Sequence, residues 1–324
     1  MKKALMLLAG LLAARCASFR TLDPESPEVK RYAAPGAAMI EVEGLRVRVV
    51  DEGPRTDPSP LVLLHGISSS LETWNGWAGL LRSDHRVIRI DLPGSGLTNL
   101  NGRGVYAPET DVAVVRAVVD HLGVQRFSIA GNSLGGWTAW LLAGDKATGR
   151  RVDNLILISS IGLHPGSTYL DRMPKVFKKV SAHWTPRFIG VLGLRWAHGS
   201  YRRPTVDEVN RYVTMARVDG NRAAVAERLL SPFRDYTATL ANIRVPTLIL
   251  WGSDDAAALS DALDFHRRIR RATLVVLSNR GHVSMETDPV TTAELARQFL
   301  ATHSVTPPAD AKFWPPNEPK EVNR

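Results

Sequence analysis

The sequence predicts an α/β fold: an open, mostly parallel sheet flanked by helices, with a helical segment inserted between two strands. Three observations carry this. Short continuous apolar runs recur from residue 61 onward, the pattern of parallel strands covered on both faces. Helical patterns alternate with them, as a doubly wound sheet requires. Between His164 and Arg234 the strand rhythm stops and aromatic-rich helical patterns take over. With 324 residues, 44% of them hydrophobic, the chain has enough material for one large core.

Taken in order, the chain opens with "MKKALMLLAGLLAARC", two lysines ahead of an apolar run from Ala4 to Ala14. That layout, over residues 1–18, is that of an export signal or a membrane anchor, and the run is short for a membrane span. Cys16 follows the run, but Arg15 stands where bacterial lipoproteins carry a small residue. The expectation is export to the cell envelope, with a cytoplasmic location as the alternative. Residues 19–37, rich in Pro and charge, read as a linker. "MIEVEG" and "LRVRVVDEG" then begin a core spanning 38–163 and 235–303. Its further strands are "LVLLHG", "RVIRIDLPG", "RFSIAG", "LILISS", "TLILWG" and "TLVVLS". Helical patterns fall at 111–124, after residue 135 and at 289–303. Residues 164–234 form the predicted cap, and 304–324 a Pro-rich tail.

Charge narrows the function classes. The net charge is +9, and the cap alone holds thirteen Lys and Arg against five Asp and Glu. No zinc-finger spacing, basic zipper or RNA-binding sheet motif accompanies it, so nucleic acid is not the expected partner. In the cap, Phe177, Val180, Trp184, Phe188, Ile189, Leu192 and Trp196 interleave with Lys175, Lys178, Lys179, Arg187 and Arg195. Such a segment either lines an acyl pocket or lies on an anionic membrane surface. Cys16 is the only cysteine, which excludes an intramolecular disulfide.

The chemistry centres on "IAGNSLGG". Ser133 stands in a G-x-S-x-G frame between a strand and a helix, where a strained turn lifts the hydroxyl into the open and only small neighbours fit. A serine hydroxyl needs a base, and the base an orienting acid. "WGSDD" and "SNRGHVSMETDP" follow apolar strands, at the sheet edge where open α/β folds keep their sites. His282 is the candidate base. His85, His121 and His266 lie on or beside helical patterns, and His164, His183 and His198 fall in the cap. Asp254 and Asp255 both qualify as the acid. No metal or other cofactor is called for, because the chemistry needs none.

"LLHGISSS", "DLPGSGLT", "GNSLGG", "WGSDD" and "GHVSMETDP" occur in the order that marks the α/β-hydrolase superfamily, which the chain resembles over about residues 38–303. The resemblance implies an α/β-hydrolase fold with a helical cap. It implies Ser133 as nucleophile, Asp255 as acid, His282 as base, and the backbone N–H groups of Ile67 and Leu134 as the oxyanion hole. It further implies that His65 holds its loop, and that Asp91, Pro93, Gly94 and Gly96 shape the rim. Serine at the elbow disfavours the dehalogenases and epoxide hydrolases of this fold, which attack with a carboxylate. Hydrolysis of small or lipid-like esters is the expectation. "GNSLGG" also resembles the elbow of hydrolases that cleave carbon–carbon bonds in ring-fission diketones. Those carry a Gly-Pro-Gly-like stretch after "HG" and an aromatic residue after the base, where this chain has "ISSS" and Val283. A ligand-binding protein of low turnover is the third alternative.

Overall fold

A computed structural model describes residues 20–98, 106–165, 174–181, 186–255 and 257–316. The predicted leader with Cys16, the predicted cap residues His183 and Trp184, and the end of the tail lie outside these. Nine strands form one sheet: β1 (Ala38–Val42), β2 (Leu45–Glu52), β3 (Leu61–Leu64), β4 (Val87–Ile90), β5 (Phe127–Asn132), β6 (Val152–Ile158), β7 (Thr247–Gly252), β8 (Ala272–Leu277) and β9 (Lys312–Trp314). Their order is β1-β2-β4-β3-β5-β6-β7-β8-β9. Strands β3 to β8 run parallel, whereas β2 is antiparallel to both neighbours and β9 to β8.

The parallel strands are buried on both faces, which is why they read as unbroken apolar runs. In β7, Leu248 and Leu250 join one core cluster while Ile249 and Trp251 join the other. β3 divides likewise, Leu61 and Leu63 against Val62 and Leu64. The helices described are α1 (Pro27–Lys30), α2 (Asn75–Leu81), α3 (Pro108–His121), α4 (Leu134–Gly144), α5 (Lys175–Ser181), α6 (Arg187–His198), α7 (Val206–Ala216), α8 (Asn221–Leu230), α9 (Leu259–Arg268), α10 (Ser284–Thr287) and α11 (Pro289–Thr302). Helix α4 is buried almost all round, matching its sequence "LGGWTAWLLAG". Helices α5 to α8 fill the insertion between β6 and β7, and its described residues add no strand to the sheet.

Three details differ from the sequence reading. The tail contributes a strand: Lys312, Phe313 and Trp314 pair with Val276, Val275 and Leu274, occupying the open edge of β8. Three residues beside prolines are too short a run to show alternation. The linker docks on the cap, with Leu22 and Val29 buried against Met215 and Val218, and Leu22 N–H donating to the Arg217 carbonyl at 2.7 Å. Lys178 is not a surface cation; it is buried, and its Nζ donates to the Leu229 carbonyl at 3.0 Å.

Candidate active site

Ser133 stands between the end of β5 and the start of α4 with φ 54° and ψ −115°, outside the regions a serine normally occupies. Such a conformation costs on the order of 1–3 kcal/mol and persists only where its surroundings hold it. Here they do. The Ser133 N–H donates to the Ile158 carbonyl at 3.1 Å, and its carbonyl accepts from Trp137 N–H at 3.0 Å and Ile161 N–H at 3.3 Å. The flanking glycines have a steric reason: a Cβ on Gly131 would strike the Gly135 backbone, and one on Gly135 would strike the Leu64 and His65 carbonyls. Helix α4 therefore presses against β3 and β5 with no room for a side chain between them.

Past the ends of β7 and β8 lie the candidate acid and the candidate base. His282 Nδ1 lies 2.9 Å from Asp255 Oδ1 and 3.1 Å from Oδ2, and the Asp255 side chain is fully buried. Oδ1 also accepts from the Ala257 N–H at 2.8 Å. An ionised carboxylate only accepts, so Nδ1 carries the proton and Nε2 is left as the acceptor. Burial alone would depress the imidazole's pKa, but the Asp255 charge and hydrogen bond outweigh it and hold His282 above its ordinary 6.5. The structure thus separates the two candidate acids. Asp255 meets the imidazole, whereas the exposed Asp254 accepts from the Ser200 N–H at 3.0 Å and from the Ser200 hydroxyl.

One buried side chain ties the base loop to the elbow. Asn132 Nδ2 donates to the His282 carbonyl at 2.8 Å and to the Ile158 carbonyl at 3.1 Å. Replacing Asn132 with Ala strands the His282 carbonyl at a part-buried position. The expected cost is about 1–3 kcal/mol in denaturant unfolding, with kcat falling more than KM changes. An unchanged kcat would show that the tether is dispensable.

The predicted oxyanion donors belong to the two segments that flank Ser133. Leu134 opens α4, and the first N–H groups of a helix have no intrahelical partner. Gly66, preceding Ile67, packs so closely that a Cβ there would stand 3.1 Å from Ser133 Cβ. His65 has the structural role expected of it. Its Nε2 accepts from Leu92 N–H at 3.0 Å, so Nδ1 donates to the Gly66 carbonyl at 2.7 Å, and burial lowers its pKa to about 4, keeping it neutral.

Residues 61–295 match the alpha/beta hydrolase family. The chain belongs to that family. The hydrolase is 25% identical over 290 residues to 2-hydroxy-6-oxononadienedioate/2-hydroxy-6-oxononatrienedioate hydrolase 2 of Pseudomonas putida, across 81% of this chain and 93% of the relative. A solved membrane phospholipase A, described as a bacterial virulence factor, superposes with a TM-score of 0.71 at 25% identity, covering 93% of this chain and 98% of that one. A thermophilic esterase from Thermogutta terrifontis shares the fold at TM-score 0.70 and 23% identity, over 82% and 98% of the two chains.

Several residues around the hydrolase site had no marker in the sequence. Arg48 of β2 is buried with Glu72 at 2.6 Å and Asp91 at 3.2 Å. Asp91 in turn accepts from the N–H groups of Leu71 and Leu97, which fixes the loop after Gly66 and the rim together. From the cap, Tyr212 Oη donates to Glu286 at 2.7 Å, Arg211 pairs with the same carboxylate, and Thr73 joins them at 2.8 Å. This network locks α7 to the turn that follows His282. Finally, Val283 N–H donates to the Ala197 carbonyl at 3.2 Å, and the Trp196 ring lies 6.0 Å from the His282 ring. The end of α6 therefore rests on the base loop.

Proposed function

We propose that this hydrolase cleaves carboxylic esters of small or lipid-like substrates through an acyl-enzyme on Ser133. The observation that carries the reading is the His282–Asp255 pair, oriented with Nδ1 on the carboxylate and bound through Asn132 to a serine in a strained elbow. In the first step Nε2 of His282 takes the Ser133 proton as Oγ attacks the ester carbonyl. Asp255 stabilises the imidazolium, and the Ile67 and Leu134 N–H groups receive the charge on the tetrahedral oxygen. Collapse expels the alcohol, which takes the proton from His282. Water, deprotonated by the same imidazole, then releases the carboxylic acid and regenerates the serine.

A second reading, hydrolysis of a carbon–carbon bond in a ring-fission diketone, draws on the activity for which the Pseudomonas putida relative is named. The test is direct. Wild-type protein mixed with p-nitrophenyl esters of increasing acyl length is expected to release a burst of p-nitrophenolate and to gain the acyl mass on the peptide carrying Ser133. Turnover of a ring-fission diketone without ester cleavage overturns the ester reading in favour of the second. Binding of either substrate with no turnover and no acyl mass leaves a ligand-binding protein. The leader supports placement at the cell envelope, and recovery of the full chain in a cytosolic fraction counts against that placement.

A further inference from the structure

Two cap helices expose large apolar side chains to solvent. In α5 the residue turned inward is Lys178, while Val176, Phe177 and Val180 face solvent, Phe177 being 59% exposed. In α6, Phe188, Ile189 and Leu192 are exposed at 57%, 47% and 59%. A soluble surface tolerates single exposed apolar side chains, whereas several on two consecutive helices mark an interaction site. Residues 182–186 join the two helices in the chain, so their facing ends lie within about 20 Å of one another.

Charge selects the partner. Lys175, Lys179, Arg187 and Arg195 are exposed on the same two helices, and none meets a carboxylate among the described residues. A symmetric pair of copies joined through this face would bring identical cations together, because such an interface sets the same patch against itself. An anionic bilayer offers the opposite: acyl chains for the aromatic and aliphatic residues and lipid phosphates for the cations. We propose that α5 and α6 form a docking surface for anionic phospholipid membranes. Helix α6 then runs from the bilayer to Trp196 beside the His282 ring, and lipid would arrive where the base loop is held. The docking itself does not depend on the ester chemistry.

The test uses the full-length chain carrying Cys16→Ser and Leu192→Cys, labelled with an NBD fluorophore at position 192, so that the signal reports α6 whatever the leader does. In phosphatidylglycerol vesicles the emission is expected to shift to the blue and to be quenched by spin-labelled lipid. Phosphatidylcholine vesicles should give neither. Adding Lys179→Glu and Arg187→Glu should weaken the effect at least ~30-fold in lipid concentration while leaving turnover of a soluble ester unchanged. Ser133→Ala should dock as wild type does, which separates failure of docking from failure of the ester reading. An aqueous NBD signal in anionic vesicles overturns the proposal. So does a blue shift without lipid that grows with protein concentration, which would assign the face to a second copy of the chain.

Discussion

Ser133→Ala and His282→Ala are each expected to lower kcat on a soluble ester by roughly 10^6, and the double variant by no more than either alone, because nucleophile and base act as one unit. Asp255→Asn should cost less, about 10^4, since it leaves the imidazole in place with the wrong nitrogen protonated. The pH profile supplies an independent check. His282 must be neutral to accept the proton, so kcat/KM should rise with pH through the imidazole's pKa, at a value above 6.5 in the wild type. In Asp255→Asn the carboxylate's pull is gone and burial remains, so the inflection should move below 6.5. If Asp255→Asn stays within tenfold of wild type, or keeps its inflection in place, Asp255 is not the orienting acid.

These residues were legible in the sequence because each has a local signature: glycines around a serine, or an Asp or His just past an apolar strand. The sheet was legible for a similar reason, since burial on both faces leaves runs such as "TLILWG" that no surface element would carry. Contacts made across long stretches of chain were not legible. In "LRVRVV" alternation would put Arg46 and Arg48 on the same solvent face, yet only Arg46 is exposed; Arg48 is enclosed by Glu72 and Asp91, which arrive from other strand ends. Asn132, beside the nucleophile, reads either as an amide that holds cap or substrate or as a polar turn residue, because its actual partner, the His282 carbonyl, lies 150 residues away. Lys178 misled for the opposite reason: helical spacing said which residues share a face of α5 but not which face the core would take.

Arg48→Met is expected to destabilise the fold by about 3–5 kcal/mol at pH 7, the usual cost of removing one partner from a buried ionic cluster. Arg48 is 1% exposed, and the side chains of Glu72 and Asp91 are fully enclosed. Without the guanidinium, two carboxylates face each other in the interior with backbone N–H groups and the Ser70 hydroxyl as their remaining donors. Burial already pushes Asp91 up to about 6, with Arg48 pulling the other way and Glu72 adding to the rise. Loss of Arg48 should therefore raise Asp91 further above its unfolded value of 3.8, and should let burial lift Glu72, which the Arg48 charge and hydrogen bonds now hold below its unfolded 4.5. A carboxyl whose folded pKa exceeds its unfolded one favours the folded state at low pH, and that advantage disappears as pH rises through the folded value. The penalty of Arg48→Met should accordingly shrink between pH 7 and pH 5, as the stranded groups take up protons. Denaturant unfolding of both proteins at the two pH values measures this. A penalty under 1 kcal/mol, or one of the same size at both, would mean that the cluster is not what holds the loop after Gly66 and the Asp91 rim together.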